Sequence, residues 1–93
     1  MKEDTVFKAL ADPTRRIILD EFTERNEQTM YELCARLLMK HRVTMSRQAV
    51  AKHISVLEIA GLLRSQRRGK YRVLVFDPKP INYVVERWVK GTE

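Results

Sequence analysis

At 93 residues and 44% hydrophobic content, the chain suits one domain with a small core and is too apolar to be disordered. Its one cysteine, Cys34, excludes an intrachain disulfide and suits a reducing compartment. The mixed, polar N-terminus and the lack of an apolar run of about 18 residues predict neither signal peptide nor membrane span, so the cytoplasm is the expected location.

The net charge of +6 is concentrated in one region. Residues 1–35 carry five basic against eight acidic side chains, residues 36–72 ten against one, and residues 73–93 three against three. A basic block between acidic and neutral flanks reads as a binding face for a polyanion.

In chain order, Val6, Phe7, Leu10 and Ala11 fall at helical spacing and predict a short first helix that stops before Asp12-Pro13. Asp12 can cap a second helix with Pro13 at its first position, where a missing N–H costs nothing. Ile17, Ile18 and Phe22 supply its apolar side. Thr29 to Glu32 has the form of a capping box and opens a third helix through Leu33, Leu37 and Leu38. Residues 40–45 read as an elongated turn or an extra helical turn. Ser46 can cap a fourth helix that ends at Gly61, a favoured helix stop.

Leu62 to Gln66 and Tyr71 to Phe76 have strand character, with Arg67-Arg68-Gly69-Lys70 as the turn between them. Asp77 to Pro80 breaks the sheet. Ile81, Val84, Val85, Trp88 and Val89 then trace an apolar stripe on a last helix. Four helices, a hairpin and a helix make a mainly α protein with a small β-hairpin (α+β), arranged as a single winged helix-turn-helix domain over residues 1–93.

On a wheel of the fourth helix, Val50, Ile54 and Leu57 share the core side. Gln48, Ala51, Lys52 and Ser55 fall opposite, with Arg47 on a flank and Ser46 at the start. Small and hydrogen-bonding residues on an outer face let a helix enter the major groove, where Arg prefers guanine and Gln prefers adenine. Arg64, Arg67, Arg68, Lys70 and Arg72 have no acid among them, which favours phosphate or minor-groove contact over a merely soluble hairpin tip. His53 lies between Val50 and Leu57 on the wheel and is expected to pack rather than read bases or bind metal.

These residues resemble the ArsR/SmtB-type bacterial winged-helix repressors over nearly the whole chain. The run from Phe7 to Leu19 (Phe-Lys-Ala-Leu-Ala-Asp-Pro-Thr-Arg-Arg-Ile-Ile-Leu) is similar to a signature of that family, and Ser46 to Leu63 to its recognition helix and first wing strand. The resemblance implies a homodimeric repressor of double-stranded DNA whose terminal helices form the interface. It carries base contacts onto Arg47, Gln48, Ala51 and Lys52, and wing contacts onto Arg67, Arg68 and Lys70.

The chain departs from the family pattern in two places. Residues 38–45 are longer than the usual connection into the recognition helix. Metal-sensing members carry a Cys-Val-Cys-like pair on the third helix or an Asp/His set on the last. Here Cys34 precedes Ala35 and Arg36, and residues 81–93 hold no histidine. One soft ligand cannot hold Zn²⁺, so no metal or other cofactor is expected, and any effector remains unnamed.

Self-association is expected from two apolar stripes, Val6, Phe7 and Leu10 in the first helix and Ile81, Val84, Val85 and Trp88 in the last, paired across a two-fold axis. Such a dimer would present two recognition helices on the order of 34 Å apart and match an inverted-repeat operator. An enzyme is not expected. Neither His41 nor His53 has a Ser, Cys or carboxylate partner at motif spacing, and no Gly-rich phosphate loop is present. Two other rivals keep the fold: a protein- or RNA-binding module, which acids on the outer face of the fourth helix would favour, and nonspecific architectural DNA binding.

Overall fold

A computed structural model describes residues 2–89. The elements are α1 (Lys2–Leu10), α2 (Pro13–Glu24), β1 (Glu27–Thr29), α3 (Met30–His41), α4 (Arg47–Ile59), β2 (Leu63–Arg68), β3 (Tyr71–Phe76) and α5 (Lys79–Val89). The mainly α winged helix-turn-helix expected from the sequence is the fold observed.

The helix starts follow from side chains that satisfy free N–H groups. Asp12 accepts from the backbone N–H of Thr14 at 2.8 Å and of Arg15 at 3.2 Å. Burial works to raise the Asp12 carboxyl, but those two backbone bonds together with the nearby positive charge of Arg15 hold the group below its ordinary value. Thr29 and Glu32 form the reciprocal capping box, at 3.0 and 2.8 Å. Ser46 Oγ accepts from Ala49 N–H at 3.1 Å and opens α4.

Helix α4 closes on Gly61 at φ 78, a left-handed conformation that suits glycine. Leu62 N–H then donates to Leu57 and Gly61 N–H to Glu58, the paired bonds of a Schellman stop. Of the two readings of residues 40–45, each holds for part of the segment. Helix α3 continues to His41, and Arg42 at φ 56 turns the chain into an extended connection to Ser46.

The sheet has three strands in the order β1-β3-β2, all antiparallel. β1 was not expected. Glu27, Gln28 and Thr29 become a strand only because Val75, Leu74 and Val73 lie opposite them. The hairpin register pairs Arg68 with Tyr71, so Arg67 and Arg68 belong to β2 and the turn is Gly69-Lys70 alone. That corrects the four-residue turn expected from the sequence.

Phe22, Ile18, Leu33, Leu37, Ile54, Leu57, Leu62, Leu63 and Leu74 fill the core between the helices and one sheet face. Helix α1 packs on α2, α4 and α5, so Val6 and Val84 are 3% and 2% exposed and belong to this core. Neither can supply interface surface, which corrects two residues of the proposed dimer stripe. Leu10 and Ile81 also pack against it, half-buried. Phe7, Val85, Trp88 and Val89 remain exposed.

Among the described residues, one charged side chain sits inside. Glu21 is 1% exposed, yet its Oε1 lies 3.0 Å from His41 Nε2 and 2.9 Å from Lys40 Nζ. His41 therefore has a carboxylate partner twenty residues away, which a search at motif spacing does not reach. Burial works to raise the Glu21 carboxyl, but hydrogen bonds from Lys40 and His41 outweigh it, so the group sits below its ordinary value of 4.5.

A depressed carboxylate contributes stability that is complete above the unfolded value and fades as pH falls through the lower folded one. Urea unfolding followed from pH 7 down to pH 3 is expected to show that loss below about pH 4.5. Glu21→Ala is expected to cost about 2 kcal/mol at neutral pH and to reduce the acid-side slope. An unchanged slope would remove Glu21 from the balance.

Candidate nucleic-acid interface

Helix α4 turns Val50, Ile54 and Leu57 inward, and this fixes what faces out. Arg47, Gln48, Lys52 and Ser55 are exposed. The side chains of Arg47, Gln48 and Lys52 make no hydrogen bond or ion pair with any described residue, so their polar groups are available to a ligand. Ser55 Oγ donates to Ala51 O at 3.1 Å, which spends its proton on the helix and leaves it an acceptor. Ser46 is exposed but its oxygen is engaged as the helix cap. Ala51 is only half-exposed and touches the core, so it forms the shallow floor of the outer face rather than its crest.

The anchoring of α4 comes partly from an unforeseen residue. Arg15 on α2 donates from Nε to Ala9 O at 2.9 Å and from Nη2 to Lys8 O at 3.0 Å, closing the end of α1. Its Nη1 lies 3.2 Å from His53 Nδ1 on α4. A guanidinium can only donate, so Nδ1 accepts and the ring proton sits on Nε2. His53 is half-buried and serves packing rather than the outer face.

The hairpin extends the same basic surface. Arg64, Arg67 and Lys70 are exposed and have no carboxylate partner among the described residues. Lys70 Nζ lies 5.9 Å from the centre of the exposed Tyr71 ring at the tip. The other two wing arginines differ from expectation, because one acid from outside the basic block and the single acid within it reach them. Arg68 is bidentate to Glu27 on β1, at 2.6 and 3.2 Å. Arg72 Nη2 lies 3.2 Å from Glu58 Oε1, and Ser65 Oγ donates to the same carboxylate. Glu58 thereby ties the end of α4 to both strands of the wing.

These pairings sort the wing cations. A guanidinium already neutralised by a carboxylate gains less from a phosphate than a free one. Arg67→Ala is expected to flatten the slope of log affinity against log salt by about 1, and Arg68→Ala by clearly less. Equal losses, read by fluorescence anisotropy across a salt series, would mean that Glu27 releases Arg68 on binding.

Cys34 is half-buried on α3, against a cavity of about 440 Å³ that Met45 and Arg47 also line. Burial pushes its thiol up, offset only in part by Arg47, so it stays protonated and unreactive at neutral pH. No group of three or more His, Cys, Asp or Glu side chains among the described residues is placed to hold a metal ion. No described helix is long and apolar enough to cross a membrane.

A second helix of a helix-turn-helix presented beside a cationic wing defines a DNA-binding domain. Residues 10–66 match the helix-turn-helix domain family model. The chain is 54% identical over 88 residues to the HTH-type transcriptional regulator YuzN of Bacillus subtilis (strain 168), itself uncharacterized, covering 95% of this chain and 96% of that protein. Among solved structures, the ArsR family transcriptional regulator RHA00566 superposes with a TM-score of 0.77 at 31% identity, over 98% of this chain and 86% of the other. An ArsR-like transcriptional regulator from Rhodococcus sp. RHA1 gives 0.73 at 32% identity, over 92% and 77%.

The chain belongs to the ArsR-type winged helix-turn-helix transcriptional regulators. It is a transcriptional regulator with a helix-turn-helix domain for double-stranded DNA.

Proposed function

We propose that the chain is a cytoplasmic, homodimeric repressor that blocks promoters by binding an inverted-repeat operator. It needs no cofactor and no catalytic step for this. The observation that carries the reading is the outer face of α4, where Arg47, Gln48 and Lys52 stand exposed and unpaired among the described residues, with Arg67 and Lys70 on the adjoining wing. In this reading Arg47 and Gln48 read base edges, Lys52 and the wing cations hold phosphates, and Ser46, Ala51 and Ser55 let the helix approach closely.

The dimer is supported by the exposed apolar surface on the terminal helices. The Phe7 and Trp88 rings meet at a tilt of 50° with centroids 5.8 Å apart, and Val85 and Val89 extend that patch. Two copies joined there bury it around a two-fold axis, and the operator inherits the same symmetry. The domain then comprises one DNA-binding core over residues 1–93 with terminal dimerisation helices.

The test is fluorescence anisotropy of the purified protein on its own promoter fragment and on a scrambled fragment, at low and physiological salt. Tight binding to the first and weaker binding to the second is expected, with a gap of at least 10³ at physiological salt, on the order typical of specific regulators. Equal binding to both fragments would replace this reading with architectural DNA binding. No binding to either would end it.

A further inference from the structure

We propose that the groove bounded by α1, the C-terminal end of α4 and the first turns of α5 binds a small organic carboxylate with an apolar body. The groove has a volume of about 700 Å³, inside the range of roughly 300–1,000 Å³ typical of small-molecule sites. Ile59, Pro80 and Tyr83 give it apolar walls, and Val6 and Val84, almost fully buried, line it from the core side. Ile59 and Tyr83 are 74% and 70% exposed, apolar surface that the protomer itself leaves in water.

Helix geometry separates this groove from the dimer patch. At 3.6 residues per turn, Pro80 and Tyr83 fall on one side of the buried Val84, and Val85 and Trp88 on the other. A dimer formed through Phe7, Val85 and Trp88 therefore leaves the groove open.

The charges that face the groove select an anion. Only Glu3 and Lys79 among its lining residues are charged. Glu3 is held by Arg87 at 2.9 Å. Lys79 has no carboxylate partner among the described residues, because Asp77 Oδ1 takes its backbone N–H, at 3.0 Å, rather than its ammonium. At the end of α4, the carbonyls of Leu57 and Glu58 are already occupied by the Schellman bonds, which mutes the negative pole there. A lysine at the edge of an apolar cleft, with no carboxylate partner among the described residues, fits a carboxylate on a hydrophobic body. Ile59 to Gly61 end the helix that starts with Arg47, so an occupant would bear on the tilt of α4. That regulatory consequence, unlike the site itself, rests on the DNA-reading role proposed above.

4-Phenylbutyrate and its neutral amide, 4-phenylbutanamide, test the site by amide chemical-shift titration of the intact protein without DNA. The acid is expected to give saturable shifts at Gly61, Tyr83 and Val84, with a dissociation constant on the order of 1 mM for a ligand of this size. The amide is expected to bind about threefold more weakly, and Lys79→Ala to erase the difference, as removal of one exposed ion pair would. No saturable shift up to about 10 mM, shifts confined to Phe7 and Trp88, or equal binding of acid and amide would each overturn the proposal. Because no DNA is present, its failure is separate from a failure of the regulator reading.

Discussion

Replacing Arg47 or Gln48 by alanine is expected to cost about 1–3 kcal/mol each at the specific operator and little on random duplex. The reason is positional. Ser46 caps α4, so Arg47 and Gln48 occupy its first turn, the part of a recognition helix that meets base edges. Both are exposed, and neither spends a donor on another described residue. A bidentate hydrogen bond to guanine or adenine would then be lost without any internal bond being broken, so stability is expected to hold while discrimination falls.

The double variant carries the largest effect. If the two side chains read separate base pairs their losses add, roughly 2–6 kcal/mol, or about thirtyfold to more than ten-thousandfold in affinity. Anisotropy on operator and scrambled fragments measures it. Equal losses on the two fragments would demote both residues to phosphate contacts.

The parts of this fold legible in the sequence are those set by neighbours a few residues apart. Asp12-Pro13, the Thr29–Glu32 box and Ser46 each place a capping oxygen next to the N–H groups it satisfies, and each helix starts there. The hairpin was legible too, though its turn was drawn two residues too wide.

The unforeseen features all depend on partners distant in sequence. β1 is three polar residues that pair with β3 almost fifty positions later. Gln28 is buried because its side-chain amide bonds the carbonyl of Arg25 while Arg36 donates to its oxygen. Glu21 did leave a signal. It lies beside Phe22 and three residues after Ile18, on the apolar side of α2, where a carboxylate requires a partner.

The outer face of α4 was legible because helical periodicity alone decides which side chains oppose Val50, Ile54 and Leu57. The wing was less so. Counting charge within residues 36–72 could not show that Glu27 reaches Arg68, nor that Glu58 folds back onto Ser65 and Arg72. Likewise, the apolar stripes of the first and last helices did not distinguish the side that packs on the protomer from the side left outside. Val6 and Val84 belong to the first, and Phe7, Val85 and Trp88 to the second.

That division sharpens the expectation for Trp88→Ala. The indole is 59% exposed in the protomer, meets the tilted Phe7 ring at 5.8 Å and carries the Arg87 guanidinium 5.0 Å from its centre. A large aromatic in the middle of an apolar patch is the kind of side chain that dominates an interface, and its loss there costs about 2 kcal/mol or more. Dimer dissociation is therefore expected to rise about thirtyfold, seen as a shift toward monomer in sedimentation velocity at micromolar concentration. The protomer fold is expected to survive, because the core around Val84 is untouched and Phe7 loses only one exposed neighbour. Operator affinity would fall with the dimer and recover at higher protein concentration, since each monomer keeps its own reading helix. A variant that stays dimeric would move the interface away from the terminal helices, and one that unfolds would show that the contact with Phe7 serves the protomer rather than its partner.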